Sequence, residues 1–307
     1  MTEMRHAPVM LRECVDMLQV AAGQRYIDAT LGGGGHSEAI LQAGGQVLGI
    51  DRDPFALEYA GARLAGFGEQ FRVVHGNFHD VLALAQEQDW TDCAGILADL
   101  GVSSFQLDEK ARGFSYQEEA PLDMRMDTTQ VLTAWDVVNT YETNRLAAVI
   151  REYGEERWAA RIAAFITAAR PVQTTTELVQ LILNAVPAAA RRHEPVHPAR
   201  RTFQALRIEV NDELAPLTQA LDHMVSLLHP GGRLAVLTFH SLEDRVVKRC
   251  MQRWMNPCTC PSKAPVCVCG KKPVADMVTR KPVTAGEAEL SENPRARSAK
   301  LRVAQRL

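Results

Sequence analysis

The sequence predicts an α/β fold, in which a mostly parallel sheet is interrupted by a helical insertion. Short apolar runs alternate with amphipathic runs over the first hundred residues, and helical patterns alone fill the stretch between about 108 and 200. A strongly apolar run returns only at Gly231–His240. Because apolar strands that alternate with amphipathic helices form sheets covered on both faces, this order predicts a parallel sheet.

Four strands and three helices are predicted before the insertion. The strands are the apolar runs RYIDAT, QVLGID, FRVVHGNF and CAGILADLG. The helices are HSEAILQAG, DPFALEYAGARLA and the segment around DVLALAQEQ. A helix between successive strands is the connection that parallel pairing needs.

The insertion is predicted from the helical patterns TAWDVVNTY, ETNRLAAVIREYG, EERWAARIAAFITAA and TTTELVQLILNAV. The sheet then resumes with the fifth strand GGRLAVLTFH and the helix SLEDRVVKRCMQRWM, and the end of NPRARSAKLRVAQRL predicts a final strand at the sheet edge. The predicted division is a sheet domain made of residues 1–107 and 201–307, with an inserted domain over residues 108–200.

Composition and cysteine use predict a cytoplasmic location for the chain. No run of about 18 apolar residues occurs, so no membrane partner is expected, and the first residues lack the layout of a signal peptide. Four of the seven cysteines lie between positions 258 and 269, which indicates a reducing compartment and a local cysteine site.

The charge is unevenly distributed along the chain. Arg245–Leu307 holds 14 Lys and Arg against 4 Asp and Glu, and the preceding residues hold 20 against 33. A basic tail on an acidic body predicts an anionic partner, although a solvated basic surface explains the charge equally well.

A glycine cluster, DATLGGGGHS, joins the first strand to the first helix of the sheet. A P-loop would need Gly-Lys-Ser/Thr at its end, and a dinucleotide fingerprint would need a third glycine where Ser37 or Glu38 stands. Asp28, Gly32 and Gly34 instead match D-x-x-x-G-x-G, which resembles the first motif of class I S-adenosylmethionine methyltransferases.

In that interpretation the bare backbone at Gly34 and Gly35 approaches the methionine and ribose of the cofactor. The alternative is a turn whose glycines only permit close packing between helix and strand.

Later strand ends fit the same interpretation. Asp51, after the second strand, offers two oxygens for the ribose hydroxyls, and its alternative is a helix cap, which Asp53 could provide instead. Phe78, after the third strand, would border the adenine with its ring or its backbone, or would be an ordinary core aromatic. LLHPGGRLAVLTF resembles the turn before the fifth strand of these enzymes.

Asp99 ends the fourth strand and is the candidate catalytic residue. A carboxylate at this place suits an acceptor for the N–H of an exocyclic amine, or a ligand for the ammonium of the cofactor. Many amino-methyltransferases carry D/N/S-P-P-Y/F at this point, whereas this chain has Asp-Leu-Gly-Val, and a strand-end cap is the structural alternative.

Longer motifs give a specific resemblance that covers essentially the whole chain. HAPVMLRE, DATLGGGGHS, DLGVSSFQLD, PLDMRMD, HPARRTFQALRIEVNDEL, FHSLEDR and NPRARSAKLRVAQR resemble the MraW/RsmH family, bacterial enzymes that methylate N4 of a cytidine in the decoding centre of 16S ribosomal RNA. The resemblance implies a Rossmann-like class I methyltransferase sheet, an inserted domain for substrate recognition, S-adenosylmethionine as cofactor and the small ribosomal subunit as partner.

The resemblance also implies a set of cofactor-binding residues: Gly34, Gly35, His36, Asp51, Phe78, Asp99 and Gln106. His36 and Gln106 come from the resemblance alone. Their alternatives are a polar residue at a helix start and a loop residue bonded to nearby backbone.

Two further stretches suggest an RNA contact and a metal site. RRHEPVHPARRTFQALR places arginines beside an aromatic, and Arg125 in PLDMRMD is a further candidate; the residues of the first stretch are Arg191, Arg192, Arg200, Arg201, Phe203 and Arg207. Two C-x-C pairs, Cys258 with Cys260 and Cys267 with Cys269, suit a tetrahedral thiolate site for zinc. The alternatives are ordinary surface and core sequence for the arginine stretch, a support for the cofactor loop for PLDMRMD, and four free thiols in a loop for the cysteines.

Other function classes stay open on the sequence alone. They are an oxidoreductase on a dinucleotide fold, a non-catalytic RNA-binding or assembly factor, and a small-molecule methyltransferase. The missing third glycine counts against the first, and the last leaves the insertion and the basic tail without a role.

Overall fold

The computed structural model describes residues 8–193, 196–261, 266 and 268–307. Two compact units divide the chain, one made of Met1–Gly101 with Leu214–Leu307 and the other of Val102–Glu213. We call them the sheet unit and the helical unit.

Seven strands build the sheet unit. In chain order they are β1 Arg25–Asp28, β2 Gln46–Asp51, β3 Phe71–His75, β4 Cys93–Asp99, β5 Leu228–Thr238, β6 Ala275–Met277 and β7 Lys300–Arg306. The spatial order is β3-β2-β1-β4-β5-β7-β6. The first five strands pair in parallel, and β7 runs antiparallel to both of its neighbours.

This topology confirms the predicted α/β fold with a mostly parallel sheet. The prediction that the last strand lies at the edge is wrong, because β6 pairs with the outer side of β7.

Fourteen helices are found among the described residues. They are α1 Leu11–Leu18, α2 Gly35–Gln42, α3 Pro54–Leu64, α4 Val81–Glu87, α5 Ser104–Asp108, α6 Ala134–Thr140, α7 Thr143–Gly154, α8 Ala159–Ala168, α9 Thr175–Ala185, α10 Ala188–His193, α11 Ala199–Asn211, α12 Leu217–Leu227, α13 Ser241–Met255 and α14 Glu287–Glu292. No helix in these ranges is both long and apolar enough to cross a membrane.

Both faces of the sheet are buried, as the apolar strands predict. Ile27 and Ile96 pack in a core that includes residues of α4, α12 and α13. Their neighbours Tyr26 and Leu97 belong to a second core, which includes residues of α1 and α2. Successive side chains of a strand point to opposite faces, so strands that are apolar throughout require a cover on each side.

The helical unit has its own core. Helices α6, α7, α8, α9 and α11 contribute its buried apolar side chains. Its limits, Val102 and Glu213, differ from the predicted 108 and 200. The reason is that Leu107 in α5 and Leu206 and Val210 in α11 pack into this core, although they lie outside the predicted limits.

Candidate active site

Three aspartates mark the carboxyl ends of neighbouring parallel strands. Asp28 ends β1, Asp51 ends β2 and Asp99 ends β4. These three strands are adjacent in the sheet. Ligands of open α/β sheets bind beyond this edge, so these side chains define the candidate site.

The glycine loop packs tightly on its own unit. Gly34 has φ +76°, and a Cβ there would lie 2.9 Å from Leu64 Cδ1 of α3. A Cβ on Gly35 would lie 2.2 Å from Pro8 Cγ. Close packing therefore already requires glycine at both positions, as the alternative interpretation proposes, and cofactor contact by this backbone stays a prediction.

Asp51 holds the glycine loop in place. Its Oδ2 accepts a hydrogen bond from Gly32 N at 2.7 Å, and its Oδ1 accepts one from Asp53 N at 2.9 Å. The cap of α3 is Asp53, whose side chain accepts from Phe55 N at 3.2 Å. Burial raises the pKa of Asp51 to about 6. Because Asp53 rather than Asp51 caps α3, the helix-cap alternative for Asp51 is wrong.

Asp28 ties the end of β1 to the start of α2. Its Oδ2 accepts a hydrogen bond from Ser37 Oγ at 2.7 Å, and its Oδ1 accepts from Thr30 N at 3.2 Å. Burial raises the pKa of Asp28 to about 6, against the opposing effect of these hydrogen bonds. The sequence placed Asp28 in the glycine motif but did not identify it as a site residue.

Asp99 is the least satisfied acid of the site. Its backbone N donates to Thr30 Oγ1 at 2.7 Å, but its buried Oδ1 has no hydrogen-bond partner among the described residues. The side chain is 25% exposed, so the carboxyl group is within reach of a ligand. Burial, followed by the negative charges of Asp28 and Glu243, raises the pKa of Asp99 to about 8.

His36 lies directly beside this acid. Its Nδ1 is 3.9 Å from Asp99 Oδ2, and its Nε2 is 3.1 Å from the carbonyl oxygen of Val9. Since a carbonyl only accepts hydrogen bonds, Nε2 carries the proton and Nδ1 turns a lone pair toward Asp99. Burial lowers the pKa of His36 to about 4, which keeps the imidazole neutral.

The other two candidates have structural contacts of their own. Phe78 is 8% exposed and belongs to the core that covers one sheet face. Gln106 lies in the helical unit, where it forms a capping box: its Oε1 accepts from Ser103 N at 3.0 Å, and its own N donates to Ser103 Oγ at 3.3 Å. Both contacts match the alternatives given above, and a cofactor role for either residue stays a prediction.

Glu243 is an acid of the candidate site that the sequence reasoning missed, and its charge contributes to the raised pKa of Asp99. Its buried carboxylate lies just after β5 and accepts hydrogen bonds from Phe239 N at 2.8 Å and His240 N at 3.3 Å. His240 and Glu243 form the capping box that begins α13. A cap followed three residues later by Glu is a recognisable helix start, and FHSLEDR contains that spacing.

The RNA candidates divide into structural and exposed residues. Arg207 donates two hydrogen bonds to Glu213, at 2.9 and 2.8 Å, and Phe203 is buried in the core of the helical unit. Arg125 donates to both oxygens of Asp123 and to two backbone carbonyls of its own loop. These contacts favour the structural alternative for all three. Arg191, Arg192 and Arg200 are exposed.

Comparison with known proteins identifies the family. The sequence profile described as the MraW methylase family matches residues 3–307. The chain belongs to the MraW methylase family. It is therefore an S-adenosylmethionine-dependent methyltransferase, which rules out the oxidoreductase.

Curated relatives of this MraW methylase cover its full length. A protein of Symbiobacterium thermophilum named Ribosomal RNA small subunit methyltransferase H is 55% identical over 98% of this chain and 96% of its own length. A protein with the same name from Geobacter sulfurreducens is 52% identical over 98% of this chain and 99% of its own. A solved rRNA methylase of Streptococcus thermophilus aligns with a TM-score of 0.42 at 10% identity, over 97% of this chain and 93% of its own, which is too distant to support a conclusion.

The site fits the cofactor that this family uses. Asp28 and Glu243 lie close enough for their charges to raise the pKa of Asp99, one oxygen of which has no hydrogen-bond partner among the described residues. S-adenosylmethionine carries an ammonium and a sulfonium, two positive charges that such a site lacks and would stabilise.

Proposed function

We propose that this MraW methylase methylates N4 of a cytidine in the decoding centre of 16S ribosomal RNA, in the cytoplasm. The observation that carries the proposal is the family match over residues 3–307. It is supported by full-length relatives named as methyltransferases of the small ribosomal subunit. The partner is accordingly small-subunit RNA.

The cofactor-binding set contains groups suited to each part of S-adenosylmethionine. The loop at Gly34 and Gly35 offers backbone N–H groups at the start of α2, and Asp51 offers its carboxylate to the ribose hydroxyls. Phe78 borders the adenine, and His36, Asp99 and Gln106 complete the set. When bound, this cofactor supplies an electrophilic methyl group on a positively charged sulfur.

Asp99 acts on the amine that receives the methyl group. The lone pair of N4 is conjugated with the cytosine ring, so an acceptor held against the N–H favours the geometry needed for attack. The ionised form of Asp99 is that acceptor, and the neutral His36 beside it adds no competing cation. The raised pKa of Asp99 makes it a stronger proton acceptor than an exposed aspartate.

The helical unit contributes to RNA recognition in this proposal. The exposed Arg191, Arg192 and Arg200 lie on or beside helices α10 and α11, where guanidinium groups can meet phosphates. Because a paired base cannot present N4 to a reacting methyl group, the target cytidine is taken unpaired.

Methyl transfer to small ribosomal subunits from cells that lack this protein tests the proposal. Labelled S-adenosylmethionine is added, and the RNA is digested to nucleosides for mass spectrometry. We expect N4-methylcytidine from the wild-type protein and at least ~10²-fold lower kcat/KM from Asp99→Asn. Asp80→Asn, which changes an exposed acid after β3, is the matched control and keeps full activity.

Two results would contradict the proposal. Methyl groups found only on another atom would refute the N4 assignment. An absence of transfer, with the cofactor bound normally, would favour a non-catalytic assembly factor.

A further inference from the structure

Three cysteine thiols converge in the loop that joins α13 to β6. The Sγ atoms of Cys258, Cys260 and Cys269 all lie within 4.8 Å of one another. Cys258 is exposed, and the other two are half-buried. Cys267, the C-x-C neighbour of Cys269, lies outside the described residues.

The spacing of the sulfurs matches a tetrahedral metal site. Cys269 Sγ is 3.8 Å from Cys258 Sγ. Four thiolates at about 2.3 Å from a zinc ion are separated by about 3.8 Å along each edge of the tetrahedron. A disulfide would bring two sulfurs to about 2.05 Å. The observed separation excludes a disulfide and fits two ligands of one ion, although two thiols in a hydrogen bond have the same spacing.

A backbone contact and nearby positive charges suit a metal-binding role for the sulfurs at this place. Val268 N lies 3.4 Å from Cys260 Sγ and donates a hydrogen bond to it. N–H groups directed at sulfur are the outer contacts that orient and tune metal-binding cysteines. The exposed Lys271 and Lys272 follow the cluster closely in sequence and offset the negative charge of thiolates.

None of the residues between 256 and 274 that the structure describes is buried. Its two ends meet where Val274 N donates to Trp254 O at 2.9 Å. Between them Val266 and Val268 are 70% and 86% exposed. A short segment that buries so little apolar surface usually needs a disulfide or a bound metal to become ordered.

We propose that Cys258, Cys260 and Cys269 bind a structural Zn²⁺ ion that fixes this loop beside the edge strand β6. Soft thiolate ligands select zinc over the hard cations Mg²⁺ and Ca²⁺, and a site of this kind does not need a redox-active metal. The proposal rests on the loop alone and is independent of the methyl-transfer function.

Metal analysis of the full-length protein tests this site. The protein is purified without a histidine tag, under reducing conditions and without chelators, and is analysed by mass spectrometry of the elements. We expect about one zinc ion per chain, and an at least tenfold lower content in Cys258→Ser/Cys260→Ser. Cys250→Ala, in the buried part of α13, is the matched control and keeps the zinc of the wild type.

A second measurement does not depend on a variant. After chelation and reloading with Co²⁺, thiolate ligation gives strong charge-transfer absorption, and trypsin cleaves after Lys271 faster in the metal-free protein than in the zinc form. Wild-type protein without zinc, or a double variant that keeps it, would overturn the proposal. A Cys258–Cys269 disulfide in place of the metal would also overturn it and would assign the loop a redox role.

Discussion

At the residue scale, the site is built around an acid that its own unit stabilises poorly. Asp99 has a buried oxygen without a partner in the part of the chain that the structure describes, and its neighbours are Asp28, Glu243 and a neutral His36. With a pKa of about 8, Asp99 is mostly protonated in the ligand-free protein at neutral pH, and a bound cation would favour its ionised form. A carboxyl group with a strongly raised pKa and an unsatisfied oxygen is typical of a site whose ligand supplies the missing interactions.

The stability of the ligand-free protein should depend on pH through Asp99. Its pKa is about 8 in the folded protein, against 3.8 in the unfolded chain. Between these values the folded state holds a proton that the unfolded state has released, so the free energy of unfolding falls as pH rises. Asp99→Asn cannot ionise and should escape this loss.

We expect Asp99→Asn to be more stable than the wild type by about 3 kcal/mol at pH 8 and above. This is less than the full pKa difference implies, because part of the carboxylate is solvated. The advantage should shrink toward zero near pH 4. Urea denaturation from pH 4 to 9 measures it, with Asp80→Asn as the control that follows the wild type. A difference that does not change with pH would show that Asp99 is already ionised when folded.

Position along the chain predicted the acids well, but contacts were beyond its reach. Asp51 and Asp99 were found because the carboxyl ends of parallel strands meet at one edge. The capping contact of Gln106 has a local signature, Ser-x-x-Gln, that the sequence reasoning overlooked, whereas the burial of Phe203 depends on neighbours that local pattern does not specify. Arg125 is a similar case, since its partners Asp123, Thr128 and Gln130 became clear only from the folded loop.

At the element scale, the glycine loop and α3 form one packed unit. Ala at position 34 would need a positive φ of +76° and would press a methyl group against Leu64 and Ala60. We expect Gly34→Ala to lower the free energy of unfolding by about 2–4 kcal/mol, from backbone strain and overpacking together.

Gly61→Ala, in the helix α3 on which the loop packs, is a matched comparison for Gly34→Ala. Nothing lies within 4 Å of the methyl group it would add, so alanine should raise stability by about 0.5–1 kcal/mol. Urea denaturation of both variants gives the two values. Equal effects would mean that the loop is not packed on α3 as the structure shows.

A buried ion pair joins α13 to β7. Arg302 Nε donates to Asp244 Oδ1 at 2.6 Å, and their side chains are 6% and 14% exposed. Burial tends to raise the pKa of Asp244, but the hydrogen bonds and positive charges of Arg302 and Lys300 outweigh it, so the net pKa lies below its usual value. The stability from this pair is therefore present above pH 4 and is lost as pH falls through the folded pKa.

Arg302→Met should destabilise the protein by about 2–4 kcal/mol at pH 7, because it leaves Asp244 buried with Lys300 alone. The cost should fall at acid pH, and Asp244→Asn/Arg302→Met should recover part of it. Arg253→Met, which breaks an exposed pair with Asp222, is the control and should cost no more than about 1 kcal/mol. Similar costs for both pairs, measured by denaturation, would argue against a special role for the buried one.

The sheet edge shows where element prediction failed. The apolar run at Lys300–Arg306 identified a strand, but β6 has only three residues, too few for a recognisable alternation. Strand order also depends on pairings between distant residues, such as Leu237 with Leu301, which no local pattern encodes. The parallel half was predicted because each helix between strands already implies its geometry.

At the scale of the whole molecule, the distribution of charge is easier to predict from the sequence than the contacts between helices are. Net charge is additive, so the excess of Lys and Arg after residue 245 was evident from the sequence. The unit boundaries were not, because they depend on which core α11 joins. Both units therefore offer basic side chains to an anionic partner, and the structure identifies which arginines of the helical unit are exposed.

Arg191, Arg192 and Arg200, which are exposed on the helical unit, should contribute to RNA affinity but not to the chemical step. We expect Arg191→Gln/Arg192→Gln/Arg200→Gln to raise KM for hypomethylated small subunits with kcat nearly unchanged, because phosphate contacts bind substrate and transition state equally. Each lost contact should also reduce the slope of log affinity against log salt by about 0.7–0.9, or by about 2–3 for the three together.

The matched control removes three other exposed arginines from the same unit: Arg151→Gln/Arg157→Gln/Arg161→Gln, on and between α7 and α8. This variant has the same net charge, so long-range attraction alone would give both variants the same slope and the same KM. A larger loss in the first variant places the phosphate contacts near α10 and α11. A loss confined to the control would place the RNA near α7 and α8 instead.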